Sequence, residues 1–245
     1  MIGYTATMTP GGIDLSAKIS DRRLAAIADD LAAGRVRALS IDVFDTLLWR
    51  RVPEPFDLFL VLGRYLAEAG TLAAEGSAVG FAELRRAAER AAREKVQART
   101  GHREVTLSDI YAALPQSLFA AGFGREAQVD AELACERRML VADEEVVALM
   151  HAAKRAGARV ILVSDTYFKA NEVKDFLTAA GCGDLSIDRL YVSCEAGKPK
   201  YRDLFDMVLK DLGVAPADMV HVGDSPEANI VPCAARQIRS VHYDK

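Results

Sequence analysis

Carboxylates stand where an apolar run ends, in Ser40-Ile41-Asp42-Val43-Phe44-Asp45-Thr46-Leu47-Leu48. A charged group in such surroundings is costly unless something uses the charge. Three further segments place polar groups after similar runs: Val163-Ser164-Asp165-Thr166, Gly197-Lys198-Pro199, and His221-Val222-Gly223-Asp224-Ser225-Pro226. The set is a carboxylate, a hydroxyl, an ammonium and a second carboxylate. Phosphoryl transfer to a carboxylate needs such a set, because an anionic nucleophile approaches a phosphate dianion only when the negative charge is screened. A lysine, a hydroxyl and a divalent cation held by two carboxylates would do the screening.

The elements that must position these groups read as an α/β domain. Short β-rich runs at Ala38 to Phe44, Val160 to Val163, Leu190 to Val192, Met219 to Val222 and Ile238 to His242 alternate with amphipathic segments, the pattern of a Rossmann-like parallel sheet. Helices are expected over Ser20 to Ala33, Asp143 to Ala156, Ala170 to Ala180 and Lys200 to Leu212, each followed by a glycine suited to a helix C-terminus. From Arg50 to Ala142 the period stays helical, so no sheet is expected there. Residues 50–142 read as an all-helical cap inserted after the first strand, and residues 1–49 with 143–245 as the core. The pieces of the cap are Pro55 to Ala69, Phe81 to Thr100, Leu107 to Leu114 and Arg125 to Leu140. An insert at that point lies over the carboxyl edge of the strands, where open α/β sheets bind ligands.

Composition narrows the field. The 245 residues are 51% hydrophobic and 27% charged with a net charge of −4, the balance of a globular chain that would repel a polyanion. Nucleic acid is therefore not expected as a partner. No run approaches the roughly 18 apolar residues of a membrane span. Met1 to Ser16 lacks the pattern of a secretory leader. A cytoplasmic protein with no membrane partner is expected. Cys135, Cys182, Cys194 and Cys233 form no CxxC pair and read as reduced thiols, mostly buried.

In order and spacing, the four segments resemble the signature motifs of the haloacid dehalogenase (HAD) superfamily, from Ala38 to about Tyr243. Asp42-Val43-Phe44-Asp45-Thr46-Leu47-Leu48, Leu162-Val163-Ser164-Asp165-Thr166-Tyr167 and the segment around Asp224 are most similar to hydrolases associated with glycosyltransferases of bacterial surface polysaccharides. The resemblance implies Asp42 as nucleophile, Ser164 as phosphate-binding hydroxyl, Lys198 as charge-balancing lysine, and Asp42, Asp224 and the Phe44 carbonyl as Mg²⁺ ligands. Thr46, Asp165, Ser225 and Asn229 join Ser164 and Lys198 as candidate contacts of substrate or phosphate. Lys198 is preferred to Lys200, which reads as a solvated first-turn residue of a helix.

Two positions depart from the superfamily pattern. A phosphatase of this kind usually carries its general acid two residues after the nucleophile, where this chain has Phe44. Asp45 is the candidate replacement, with a loop-capping role as its alternative. An acid common five residues after Asp224 is here Asn229, which could orient the lysine but adds no charge.

Along the cap, Arg85, Arg86, Arg90, Arg93, Lys95, Arg99 and Arg103 alternate with Glu83, Glu89 and Glu94 and read as a solvated, ion-paired face. His102 reads as a surface residue, and Tyr167 and Phe168 as candidate pocket walls. The function these features favour is a Mg²⁺-dependent phosphatase of small phosphate monoesters, sugar or polyol phosphates first. The alternatives are a dehalogenase or phosphonate hydrolase on the same scaffold, and a non-catalytic binding module.

Overall fold

A computed structural model describes residues 19–74 and 76–245, so the reading made for Met1 to Ser16 lies outside the described residues. In chain order the elements are α1 (Arg22–Ala32), β1 (Ala38–Ile41), β2 (Leu48–Arg50), α2 (Pro55–Glu68), α3 (Ala78–Thr100), α4 (Leu107–Ala113), α5 (Arg125–Met139) and β3 (Leu140–Ala142). They continue with α6 (Glu144–Arg155), β4 (Arg159–Ser164), α7 (Ala170–Ala179), β5 (Arg189–Val192), α8 (Ser193–Ala196), α9 (Phe205–Leu212), β6 (Met219–Gly223), α10 (Val231–Ala234) and β7 (Arg239–His242).

Five strands form one parallel sheet in the order β5-β4-β1-β6-β7. Because side chains alternate across a strand, β1, β4 and β6 build two apolar layers. Leu39, Ile41, Val160, Leu162, Val220 and Val222 belong to the core that holds α1 and α6. Ala38, Ile161, Val163 and Met219 belong to the opposite core with Phe205, Val208 and Leu212 of α9. Ser40 and His221 interrupt this second layer, paired in register on neighbouring strands and buried.

Helix ends follow the local chemistry. Asp143 caps α6 by accepting from the amides of Glu145 and Val146 at 3.0 Å, and the helix closes on Gly157 at φ 75°. Thr106 and Asp109 cap α4 reciprocally.

Between β2 and β3 the chain is helical, with α2, α3, α4 and α5 packed on one another. The expectation of no sheet from Arg50 to Ala142 is corrected at its two ends. Where the segment leaves and returns, β2 and β3 pair antiparallel from Leu48↔Ala142 to Arg50↔Leu140, and a single bridge joins Leu72 to Phe119. Three-residue strands separated by the whole insert carry too little alternation to be read from sequence. The insert docks on the loop after β4, where the Leu107 amide donates to the Tyr167 carbonyl at 2.9 Å, and on the turn before α9, where Arg202 donates to the Gly101 carbonyl at 3.1 Å.

Candidate active site

β1 ends one residue before Asp42, whose amide still donates to the Val222 carbonyl of β6 at 2.9 Å. The chain then turns back, with the amides of Leu47 and Leu48 on the Val43 carbonyl. Asp45 holds the turn with φ 56°, a conformation that aspartate tolerates better than most residues. The fold thus delivers Asp42 at the centre of the sheet edge, flanked by Ser164 at the end of β4 and by Asp224 just past β6.

The lysine at this centre is Lys200, not Lys198. The Lys200 ammonium lies 2.6 Å from Asp42 Oδ2 and 2.5 Å from Asn229 Oδ1, and the residue is 1% exposed. The expectation of a solvated first-turn lysine fails because residues Lys200–Leu204 form a π-helical turn leading into α9, and the side chain turns back to the strand edge. Lys198 sits in the preceding loop, with its amide on the Ser193 carbonyl at 3.3 Å.

The remaining candidates divide. Asn229 is fully buried and donates from Nδ2 to Asp224 Oδ1 at 3.3 Å, so it joins the second carboxylate to the lysine. Asp165 accepts from the Lys200 amide at 2.9 and 3.2 Å, so its carboxylate caps the turn that carries the lysine. Ser225 likewise caps a turn, accepting from the Ala228 amide at 3.2 Å. Both thus hold the turns that carry the site. Thr46 is buried beside the nucleophile loop, and among the described residues its Oγ1 has no hydrogen-bond partner.

Asp45 takes no backbone amide on its carboxylate among the described residues. Its charged neighbour is Arg50, 3.7 Å away. Burial pushes the Asp45 carboxyl above the ordinary range, opposed by Arg50 and reinforced by the charge of Asp42. The Phe44 side chain belongs to an aromatic cluster, 5.6 Å from Phe168 and 6.4 Å from Phe176 between ring centroids, with the Arg50 guanidinium 4.9 Å over its face.

Burial and the neighbouring charge of Asp42 push the Asp224 carboxyl up to about 6. Two hard oxygen donors at one strand edge, near enough for one charge to raise the other's carboxyl, suit a divalent cation. Among the described residues no group of three or more acidic, histidine or cysteine side chains converges, so a cation here would rest on Asp42, Asp224 and backbone oxygen. The donor chemistry fits Mg²⁺ in that form.

Sequence reasoning missed the role of Arg85. Instead of facing solvent it is fully buried, bonded to both Glu132 oxygens at 2.8 and 2.7 Å, with its guanidinium over the rings of Phe59, Tyr111 and Tyr167. Tyr111 also donates to Glu132 at 2.8 Å. Tyr167 is therefore engaged by the insert, whereas Phe168 packs on Phe44, Tyr167 and Phe176. The surface pairing does hold for Arg86 with Glu83 and for Arg93 with Glu89. His102 is half-buried beside Gly197, with Nδ1 accepting from the Glu104 amide at 3.2 Å.

Solved structures share this fold. A 2-haloacid dehalogenase from Pseudomonas syringae aligns with TM-score 0.58 at 16% identity, over 85% of this chain and 86% of that one. The HAD-family protein YfnB of Bacillus subtilis, in a magnesium-bound form, aligns with TM-score 0.54 at 19% identity over 84% and 87%. A predicted phosphoglycolate phosphatase from Haemophilus somnus gives 0.53 at 14% over 85% of both chains. A search of curated proteins by sequence found no match. The family model for haloacid dehalogenase-like hydrolases matches residues 36–235, and the chain belongs to that family.

Proposed function

We propose that the protein is a Mg²⁺-dependent phosphatase of small phosphate monoesters, with sugar or polyol phosphates the favoured class. The observation that carries this reading is Asp224. A half-buried carboxylate beside Asp42, raised to about 6 by burial and by that neighbour's charge, carries a cost that a bound divalent cation would offset. Displacing a halide from carbon requires no such screening of a phosphate dianion.

In this reading an Asp42 carboxylate oxygen attacks phosphorus as the ester P–O bond breaks, forming an aspartyl-phosphate. Lys200 orients Asp42 and offsets its charge, and the Ser164 hydroxyl at the end of β4 contacts the transferring group. Asp45 gives its proton to the departing alkoxide. Water, giving a proton to the Asp45 carboxylate, then attacks phosphorus, which releases phosphate and restores both Asp42 and the Asp45 acid. A bound Mg²⁺, on Asp42, Asp224 and the Phe44 carbonyl, supplies charge neutralisation.

A dehalogenase is the second reading. It is favoured by Phe44, whose ring occupies the position where a phosphatase of this family would carry its acid. Phosphate release from an aryl phosphate and halide release from a 2-haloacid, each with Mg²⁺ and with EDTA, separate the two. Phosphate release that EDTA abolishes, Asp42→Asn removes and Asp224→Asn recovers only at raised Mg²⁺ is the expected result. Halide release in EDTA without phosphate release would overturn the proposal.

A further inference from the structure

Ser40 and His221 lie outside the reaction centre, yet they are the polar pair in an otherwise apolar layer between the sheet and α9. Both are fully buried, and the His221 ring packs edge-on against Phe205 at 5.0 Å between centroids. Buried polar groups persist where they are satisfied. Here the satisfaction runs in one direction. Ser40 Oγ lies 2.8 Å from His221 Nδ1, and His221 Nε2 lies 2.9 Å from Asn229 Oδ1.

Asn229 fixes the polarity of this chain. Its Oδ1 faces the Lys200 ammonium, which can only donate, and its Nδ2 faces Asp224 Oδ1, which in the carboxylate accepts. The amide therefore has one workable orientation. With Oδ1 accepting from both sides, His221 must carry its proton on Nε2, which leaves Nδ1 bare to accept from the Ser40 hydroxyl. Burial and the nearby Lys200 charge hold His221 neutral, with a pKa lowered to about 4, so a single tautomer can persist. Gly223 supports the same arrangement: a β-carbon there would stand 2.3 Å from Asn229 Cγ, so the amide lies directly on bare backbone.

We infer that Ser40 and His221 are positioning residues, whose hydrogen bonds fix the Asn229 amide and through it hold the Lys200 ammonium on Asp42. This inference rests on the reading of Asp42 and Lys200 as the reaction centre. The groups facing the Lys200 ammonium and its support are Asp42, Asp224, Asn229 and His221, with Asp165 on the Lys200 amide. If the His221 donor is lost, Lys200 and Asp224 still set which way the amide points, but its Oδ1 is held by one donor fewer and the Lys200 ammonium is anchored less firmly on Asp42.

The test is nitrogen-15 NMR of the Lys200 ammonium at fixed pH in the full-length protein, following its hydrogen exchange with solvent, with no substrate needed. His221→Phe keeps the ring but removes the donor, whereas His221→Gln keeps an N–H near the Nε2 position. The expected result is a Lys200 ammonium that exchanges with solvent about tenfold faster in His221→Phe and close to the wild-type rate in His221→Gln. Wild type should show the single Nε2-protonated tautomer of His221 by nitrogen-15 NMR. Ser40→Ala, which keeps the ring but leaves Nδ1 without its donor, should speed the Lys200 exchange in the same direction, and it decides the question if His221→Phe does not fold. Equal Lys200 exchange in the folded variants, or a wild-type His221 protonated on Nδ1, would overturn the inference. Turnover of an aryl phosphate is measured beside them, with kcat expected to fall in His221→Phe and to recover in His221→Gln. A wild type that turns over no phosphate would count against the proposed function alone, since the NMR result stands without it.

Discussion

The Lys200 ammonium and the Asp42 carboxylate meet at 2.6 Å across 158 residues of sequence, nearly sealed from solvent. A pair this buried fixes the nucleophile's direction as well as its charge, because an uncompensated charge at either position would be strongly disfavoured. Lys200→Met should lower kcat by roughly 10²- to 10³-fold, the usual effect of removing a preorganised donor from a reacting centre. Lys198→Met should stay within about threefold of wild type, as among the described residues it is Lys200, not Lys198, that pairs with Asp42. Steady-state kinetics on an aryl phosphate checks both, and the opposite ranking would return the role to Lys198.

Much of the architecture is legible in the sequence, for physical reasons that also explain what is not. The strands announce themselves as β-branched runs, and Gly157, Gly181 and Gly213 adopt the positive φ that their places after helices require. Lys200 is misread because sequence position cannot tell a standard first turn from the π-helical one found here. Arg85 reads as a surface residue because Glu89 lies at the helical spacing, although its principal partner is Glu132, 47 residues away. Ser40 and His221 carry a weak signal, one polar residue in each of two apolar strands, but the register that pairs them is a property of the sheet.

Gly223 is required by the close approach of Asn229 rather than by its own backbone angle. Gly223→Ala should displace the amide and cost about 1–3 kcal/mol of stability, as overpacking in a dense interior does. Activity should fall further than stability alone explains, because the Lys200 ammonium loses its second partner. Denaturant titration and kinetics on the same preparation measure the two effects, and unchanged values in both would contradict the contact.

Neutral His221 makes stability depend on pH in a defined direction. Its folded pKa of about 4 lies below the ordinary 6.5, so the unfolded chain binds more protons between these values. Stability supplied by this residue is therefore complete above about pH 6.5 and is lost as pH falls toward 4. The loss is on the order of 3 kcal/mol for the site. Raised carboxyls such as Asp224 act oppositely in the same range, so the difference between wild type and His221→Phe is the quantity to follow. Urea titrations from pH 7 to 4.5 should show wild type losing stability relative to the variant, and parallel curves would exclude the effect.

Arg85 ties α3 to α5 through its bonds to Glu132 and reaches the loop after β4 through its stack on Tyr167. Removing one partner strands a buried charge, so Arg85→Met should destabilise by roughly 3–5 kcal/mol. Pairing it with Glu132→Leu should recover part of that loss, since an apolar pair leaves no charge behind, although Tyr111 would then need another acceptor. A double-mutant cycle by thermal or urea unfolding measures the coupling. Strict additivity would show that the two residues do not act together.

The missing acid at Phe44 leads to a prediction about leaving groups. General acid catalysis contributes on the order of 10²- to 10⁴-fold, nearly all of which an aryl phosphate can forgo because its leaving group is already a stable anion. Asp45 is suited to supply the proton. Its carboxyl is raised by burial, so it stays protonated to higher pH than an exposed aspartate, and Arg50 at 3.7 Å is available to receive the charge left behind. Asp45→Asn should therefore slow an alkyl phosphate at least tenfold more than an aryl phosphate. Equal slowing of the two would make Asp45 a structural residue of the turn. Phe44→Asp, which restores the family's usual residue, should not supply the acid. It would put a carboxylate among Phe168, Phe176 and the Arg50 guanidinium, and the expected result is a less stable protein with no gain on alkyl phosphates. Faster alkyl turnover in that variant would show instead that the loop can turn residue 44 toward the leaving oxygen.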